Sequence, residues 1–379
     1  MSLTSILRPI RIGRYALQAE TQWLWRRRFA DPGDFVLVEE YTYSGTIEAA
    51  GPLGLSLVPV AMDSDGINPE SLDEILSTWD ELHPGARAPK LLYIIPTGHN
   101  PTGVTQPRHR RQDVLEVAER HDLLIVEDDP YHYLQFPRPG SGSDYLSIPS
   151  YLSLSRSGRV IRLDSTSKIL APGLRLGWLT APKAIVETFQ AAHDLGFVQS
   201  SGVSQLVTYK LVSETWGHDG FLRWLQGLAG YYHAKATVML RAMDRELGTG
   251  ILADVCSWNA ISAGMFIWLR IECSRLPEMS QTAVDAEARQ RALLKVEDRI
   301  YTEAIKEGVL PCKGSFFRAS TSPCGGASSN GAQPSDSIFL RLTFASCEEE
   351  QLVAAVERLG TALRNIFHPK SGVIQTEMV

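Results

Sequence analysis

No uninterrupted apolar run in this sequence is long enough to cross a bilayer, so no membrane-spanning helix is expected. Cysteine is scarce and scattered. The five residues, Cys256, Cys273, Cys312, Cys324 and Cys347, form no C-x-x-C pair, so neither a metal site nor a disulfide framework is indicated. A reducing compartment, the cytoplasm, is the default expectation. Positive charge is not in excess either: the formal net charge is -6, which offers no footprint for a nucleic-acid partner. No internal repeat is visible. The 379 residues are 44% hydrophobic and 21% charged, which suits a globular chain with a sizeable core and two domains. The first nineteen residues carry Arg8, Arg11 and Arg14, several hydroxyls and no acid, a composition similar to a mitochondrial presequence and the alternative to the cytoplasmic reading.

In chain order, the Trp- and Arg-rich stretch Thr21 to Phe29 precedes a turn, Asp31-Pro-Gly-Asp34, and a strand, Phe35 to Val38. A second strand is predicted at Leu55 to Val60 and a helix over Pro69 to Leu82. Three further runs, Leu91 to Ile95, Leu123 to Val126 and Val160 to Leu163, are apolar on both faces, as parallel strands covered by helices are. The first two flank a helix at about Arg110 to Arg120 and make a βαβ unit. Each run ends in polar residues: Pro96-Thr-Gly-His-Asn100-Pro-Thr-Gly103, Glu127-Asp128-Asp129-Pro130-Tyr131, and Asp164-Ser165-Thr166-Ser167-Lys168. In open α/β sheets the carboxyl edge of the strands is where ligands bind, so Asn100, Asp128, Tyr131 and Lys168 are expected to converge there.

Beyond Trp178 the pattern is helical: Lys183 to Leu195, Ser204 to Glu214 and Phe221 to Leu247. Strand near Met265 to Ile271, helix over Val284 to Glu307, strand at Ile338 to Phe344 and helix over Glu350 to Phe367 follow. Residues 319–337 are rich in Ser, Gly and Pro and predict a mobile loop. Alternation puts Arg341 opposite the face of Ile338, Leu340 and Leu342.

The lysine loop is the centre of the chemistry. A lysine amine can form a Schiff base with an aldehyde cofactor, and the hydroxyls before Lys168 with Arg175 after it suit a phosphate. A lone S-x-S-K is more often a surface lysine after a strand. The ordered set of motifs decides between these. Glu39-Glu-Tyr-Thr-Tyr43-Ser-Gly-Thr46, the loops around Asn100 and Asp128, Ser165-Thr-Ser167-Lys168 with Arg175-Leu-Gly-Trp178, Lys313-Gly-Ser-Phe-Phe and Arg341-Leu-Thr-Phe344 together resemble the fold-type-I, pyridoxal-phosphate-dependent aminotransferases of class I/II. The branch they resemble acts on aromatic amino acids, 2-aminoadipate and kynurenine.

The resemblance implies an α/β, aspartate-aminotransferase-like fold: a mostly parallel sheet flanked by helices, with a smaller C-terminal α+β domain. It implies a large cofactor-binding domain over 1–205 and a small domain over 206–379. Lys168 would carry pyridoxal 5'-phosphate covalently and shuttle the α-proton. Asp128 would pair with the pyridine nitrogen, Asn100 and Tyr131 with the ring's phenolic oxygen, and Tyr43 would stack on the ring. Ser165, Ser167 and Arg175 would bind the phosphate. Arg341 would take the substrate's α-carboxylate, with Asn100 beside it. The implied reaction moves an amino group from an aromatic or long-chain amino acid to 2-oxoglutarate, in a homodimer with no nucleic-acid or membrane partner. A lyase on the same fold, or a non-catalytic member, is the alternative.

The start departs from the family's pattern. Members resembling this chain carry a longer N-terminal segment and a Gly/Ser turn whose backbone N–H groups cap the phosphate. That turn should lie near Gln18-Ala19-Glu20, which has no glycine or hydroxyl and carries an acid. The chain is therefore expected to lack the usual N-terminal segment and to bind its cofactor more weakly than its other motifs suggest.

Overall fold

The structure, a computed structural model, describes residues 30–137, 146–196, 200–280, 286–320 and 336–368. The expectations placed on Gln18 to Glu20 and on the Trp- and Arg-rich stretch lie outside the described residues, as do residues 321–335 of the loop expected over 319–337; Ser337 opens a strand instead. The chain divides into two compact units. One holds the described residues up to His233 with Ala260–Gly264 and 317–320. The other holds Ala234–Asn259 and the described residues of 265–316 and 336–368.

The first unit is built on a six-stranded sheet of β1 (Phe35–Glu39), β2 (Ser56–Val60), β3 (Leu91–Ile94), β4 (Leu124–Asp128), β5 (Val160–Ser165) and β6 (Gly177–Thr180), in the order β2-β1-β3-β4-β5-β6. The first five are parallel; β6 runs antiparallel to β5, with Ser165 opposite Gly177. The runs read as apolar on both faces are those buried on both: β3 has no exposed residue. In register, Leu37 lies between Val58 and Leu92, and Leu92 beside Ile125. Leu37, Leu92 and Ile125 join Leu72, Trp79 and Val114 in one core cluster.

Helices cover this sheet; those expected after Pro69 and near Arg110 are present, while the first, after β1, was not read from the sequence. α1 is Ser44–Ala50, α2 Pro69–Ser77 and α3 Arg108–Arg120. Asn68 caps α2, its side chain accepting from Ser71 N at 2.7 Å, and Pro69 occupies the first turn. The helix expected to run to Leu82 breaks at Thr78, whose hydroxyl turns back to Glu74 O at 2.8 Å; a short second helix, Trp79–Leu82, follows. Then come α4 (Lys183–Gly196), α5 (Gly202–Tyr209) and α6 (Gly217–Glu246). Between α5 and α6 the turn widens into a π-helix, Lys210–Trp216, which apolar spacing alone did not distinguish from α-helix. The boundary between the units falls inside α6.

The second unit holds a four-stranded antiparallel sheet of β7 (Cys256–Trp258), β8 (Phe266–Glu272), β9 (Cys312–Lys313) and β10 (Ser337–Thr343), ordered β9-β10-β8-β7. The short strands β7 and β9, like β6, were not read from the sequence; at two to four residues they are too brief for periodicity to register. Two helices, α7 (Ala286–Lys306) and α8 (Glu349–Phe367), complete the unit, and α7 packs on α8 and β10. A capping box opens α8, and Leu352, Val356, Leu359 and Leu363 form its buried stripe. Among the described residues, no helix is long and apolar enough to cross a membrane.

Candidate active site

The strand order reverses between β1 and β3, which places a crevice outside their carboxyl ends. Both loops at that point are built from buried polar contacts. Glu39, the last residue of β1, accepts from Ile95 N at 2.9 Å and from Gln106 Nε2 at 3.1 Å, and its Oε2 lies 2.9 Å from His99 Nε2. Thr102 N donates to His99 Nδ1, so the ring proton belongs on Nε2, facing Glu39. One carboxylate thus shapes the turn that carries Asn100, itself buried. Gly98 in the same turn has φ 52° and lies back to back with Gly264, where an added Cβ would meet backbone at 2.5 Å. Only glycine allows that approach.

Asp128 closes β4. Its Oδ2 accepts from the hydroxyl of Tyr93 on β3 at 2.5 Å, and its other oxygen has no hydrogen-bond partner among the described residues. Burial, opposed by that hydrogen bond and helped by the nearby Asp129 and Asp164, pushes the carboxyl up to about 6. Beside it, Arg162 on β5 reaches Glu127 and Asp129 at 3.1 Å each and takes Asp164 in a two-pronged pair at 2.7 and 2.9 Å. Burial opposes ionisation of Asp129, but Arg162 and His132 outweigh it and hold that carboxyl well below the usual range. Thr97 also donates to Asp129 at 3.2 Å, tying the loop after β3 to the loop after β4. Arg111 from α3 clasps Pro96 O and Thr97 Oγ1, each at 3.0 Å. Tyr131, buried, follows in the loop so held.

The lysine loop leaves β5 as a 3-10 turn, Thr166–Lys168, with Lys168 half-buried. Thr166 anchors it: its amide and hydroxyl both donate to Leu176 O, at 2.8 and 2.6 Å. Ser165 Oγ accepts from Ser167 N at 3.1 Å and lies 3.0 Å from Ser167 Oγ, so the two hydroxyls form one polar concavity. Arg175 is exposed and has φ 48°, a left-handed conformation uncommon outside glycine. The antiparallel return of β6 brings Arg175 back to the edge where β5 ends.

Tyr43 follows β1 and stands at the start of α1. At 41% exposed it is not a core aromatic, and its ring folds over Gly45, where a Cβ would meet it at 2.5 Å. Tyr43, Asn100, Asp128, Tyr131, Ser165, Ser167, Lys168 and Arg175 therefore all belong to one edge of the first unit's sheet. Arg341 belongs to the second unit, on β10, half-buried on the face opposite Leu340 and Leu342. Its guanidinium lies 4.5 Å from the Phe266 ring, and Nη2 donates to Cys312 Sγ at 3.3 Å.

Sequence reasoning missed the residues that hold this edge together: Glu39, Tyr93, His99, Arg111 and Arg162. Arg162, set within the apolar run of β5, was the available signal, since a charge there requires partners.

The model of the family described as aminotransferase class I and II matches residues 24–359. The chain belongs to this family. Similar curated proteins include aminotransferase swnA of Metarhizium robertsii (44% identical over 348 residues, 90% of this chain and 66% of that protein) and an aromatic amino acid aminotransferase of Schizosaccharomyces pombe (36%, 90% and 69%). The mitochondrial kynurenine/alpha-aminoadipate aminotransferase of Bos taurus is 32% identical over 338 residues, 88% of this chain and 69% of that protein. A crystal structure of aminotransferase Aro8 from Candida albicans superposes with a TM-score of 0.82 at 36% identity, covering 94% of this chain and 73% of that one. The chain thus spans about two thirds of the length of the curated relatives it matches. The expected aspartate-aminotransferase-like fold is borne out, as are the family and its transamination chemistry. Class I and II aminotransferases depend on pyridoxal phosphate. The donor set fits that group: a lysine and a hydroxyl-lined turn at one strand end, and at the next a carboxylate with one oxygen left without a partner among the described residues.

Proposed function

We propose that this aminotransferase moves the amino group of an aromatic or long-chain amino acid, of the kynurenine or 2-aminoadipate kind, to 2-oxoglutarate. The relatives of S. pombe and B. taurus support the donor class by their names. The observation that carries the site assignment is Asp128: a carboxylate of raised proton affinity at the sheet's ligand edge, anchored through one oxygen only. Such a group is suited to a cationic N–H partner.

When bound, pyridoxal phosphate supplies an electron sink for negative charge at the substrate's α-carbon. Lys168 holds it covalently at rest and then moves the proton at that carbon. Asp128 keeps the ring nitrogen's proton in place. Asn100 and Tyr131 donate to the phenolic oxygen, and Tyr43 covers the ring face. Ser165, Ser167 and Arg175 bind the phosphate; the left-handed backbone of Arg175 is the kind of local strain that functional sites retain. Arg341 binds the substrate's α-carboxylate, and Asn100 also contacts the substrate. The working unit is a homodimer in the cytoplasm; the buried, unpaired thiols of Cys256 and Cys273 suit a reducing compartment.

The test is purified chain with pyridoxal phosphate, read by its visible band and by mass after borohydride reduction, then assayed against a panel of amino donors with 2-oxoglutarate. Cofactor mass fixed on Lys168, lost in Lys168→Ala, together with transfer from aromatic or aminoadipate donors, is the expected result. Cofactor fixed on another lysine overturns the site, and transfer confined to short donors overturns the substrate class.

A further inference from the structure

We propose that Tyr93 is a positioning residue, whose hydroxyl aims Asp128 at the cofactor's ring nitrogen and keeps their shared proton on nitrogen. This rests on the assignment of Asp128 to that nitrogen. Tyr93 lies in the middle of the sheet, fully buried, in register with Val126. Asp128 stands two residues beyond Val126 and so projects on the same face as Tyr93, one diagonal step away. The phenol spans that step and donates to Oδ2 at 2.5 Å. Pinning one oxygen of a planar carboxylate fixes the direction of the other, which has no partner among the described residues.

The charged surroundings explain why a neutral donor matters. Burial favours the protonated form of Asp128, as do Asp129, the next residue along the chain, and Asp164 on β5. The guanidinium of Arg162 on β5 is engaged by Glu127, Asp129 and Asp164 instead. Tyr93, which also feels Glu39 and Asp128, has its own ionisation pushed well up by burial, so it stays a donor. Among the described residues its hydroxyl is the one hydrogen bond that stabilises the ionised Asp128. Without it the one shared proton would lie further from the ring nitrogen and toward a carboxyl oxygen of Asp128, and the ring's pull on electrons would fall. A hydrogen bond to a charged group is strong enough to shift that partition about 10- to 100-fold.

The experiment uses the full chain carrying pyridoxal phosphate labelled with ¹⁵N in the ring. The ¹⁵N resonance is expected at the protonated-pyridine position in the native chain, and displaced toward neutral pyridine in both Tyr93→Phe and Asp128→Asn. A protonated ring in Tyr93→Phe with a neutral ring in Asp128→Asn overturns the role of Tyr93 and leaves Asp128 assigned. No change in Asp128→Asn removes the assignment of Asp128 and the inference with it. Should Tyr93→Phe fail to fold, 3-fluorotyrosine placed at position 93 keeps the hydroxyl. Its ¹⁹F resonance is expected to move when Asp128→Asn is added and when the cofactor binds, and an unmoved resonance overturns the proposal.

Discussion

At the scale of single residues, Asp128 trades stability for chemistry. Its carboxyl is raised to about 6 in the folded chain, above the ordinary value of 3.8, so the folded state binds a proton more tightly than the unfolded chain does. The stability this contributes is full below the ordinary value and is lost as pH rises through about 6. Without cofactor, Asp128→Asn should therefore be more stable than the native chain at pH ~8, by about 1–3 kcal/mol, with the gain gone near pH ~4. Thermal unfolding of the two apoproteins across pH reads this directly, and a pH-independent difference would count against an ionised Asp128. Arg341 poses the opposite case. Stacked on Phe266 and touching Cys312, it has a structural use already. If it also binds the α-carboxylate, Arg341→Ala raises KM for every α-amino acid, by about 2–4 kcal/mol of lost charge-assisted pairing. Amines lacking that carboxylate should be nearly unaffected in steady-state assays; equal losses for both would leave only the structural use.

At the scale of elements, what organises the site is lateral tying of strand ends. The loops after β3 and β4 and the strand β5 meet on Arg162, Arg111 and their carboxylates. Burial depresses the charged form of Arg162, but Asp129, Glu127 and Asp164 more than restore it. Removing one partner of such a buried set leaves uncompensated charge, so Arg162→Met should cost about 3–5 kcal/mol at neutral pH. Asp129 sets the acid side of the dependence. Its folded-state value is depressed, so its contribution is present above the ordinary carboxylate range and fades as pH falls below it. In Arg162→Met that fading should be weaker, because the carboxylates left behind are relieved by protonation. Urea unfolding at pH ~7 and at pH ~4 separates the two, and an equal loss at both would mean that packing rather than charge makes the contact.

At the scale of the molecule, α5 leaves an apolar ridge uncovered. Val203, Leu206, Val207 and Tyr209 are 73, 49–56 and 48% exposed, on a helix that buries none of its residues. An apolar ridge of this kind is the usual mark of an interaction surface, and it supports the homodimer reading. Leu206→Glu is expected to shift the sedimentation coefficient from dimer toward monomer while the circular dichroism spectrum stays folded. A dimer that survives unchanged would place the interface elsewhere.

The sequence by itself determined the β-strands that make the parallel core, the helices that cover them and the polar residues at their carboxyl ends. Continuous hydrophobicity and a 3.6-residue period are properties of neighbours in the chain, so Leu91 to Ile94 or the stripe of α8 could be read directly. The ordered motifs from Glu39 to Phe344 were equally local, and with them the family. Tertiary structure alone decided the strand order, the antiparallel return of β6 that places Arg175, and the π-helical turn after α5. It also decided which residues support the site. Tyr93 reads in the sequence as one more apolar position of β3, and Arg162 as an interruption of β5. Their roles depend on Asp128, Glu127 and Asp129, which the fold brings beside them from another strand. Nor does the sequence around Gly98 say that Gly264 will press against it. Local patterns carry burial and period. Partnership between distant polar groups is a matter of register, and register exists only once the strands have met.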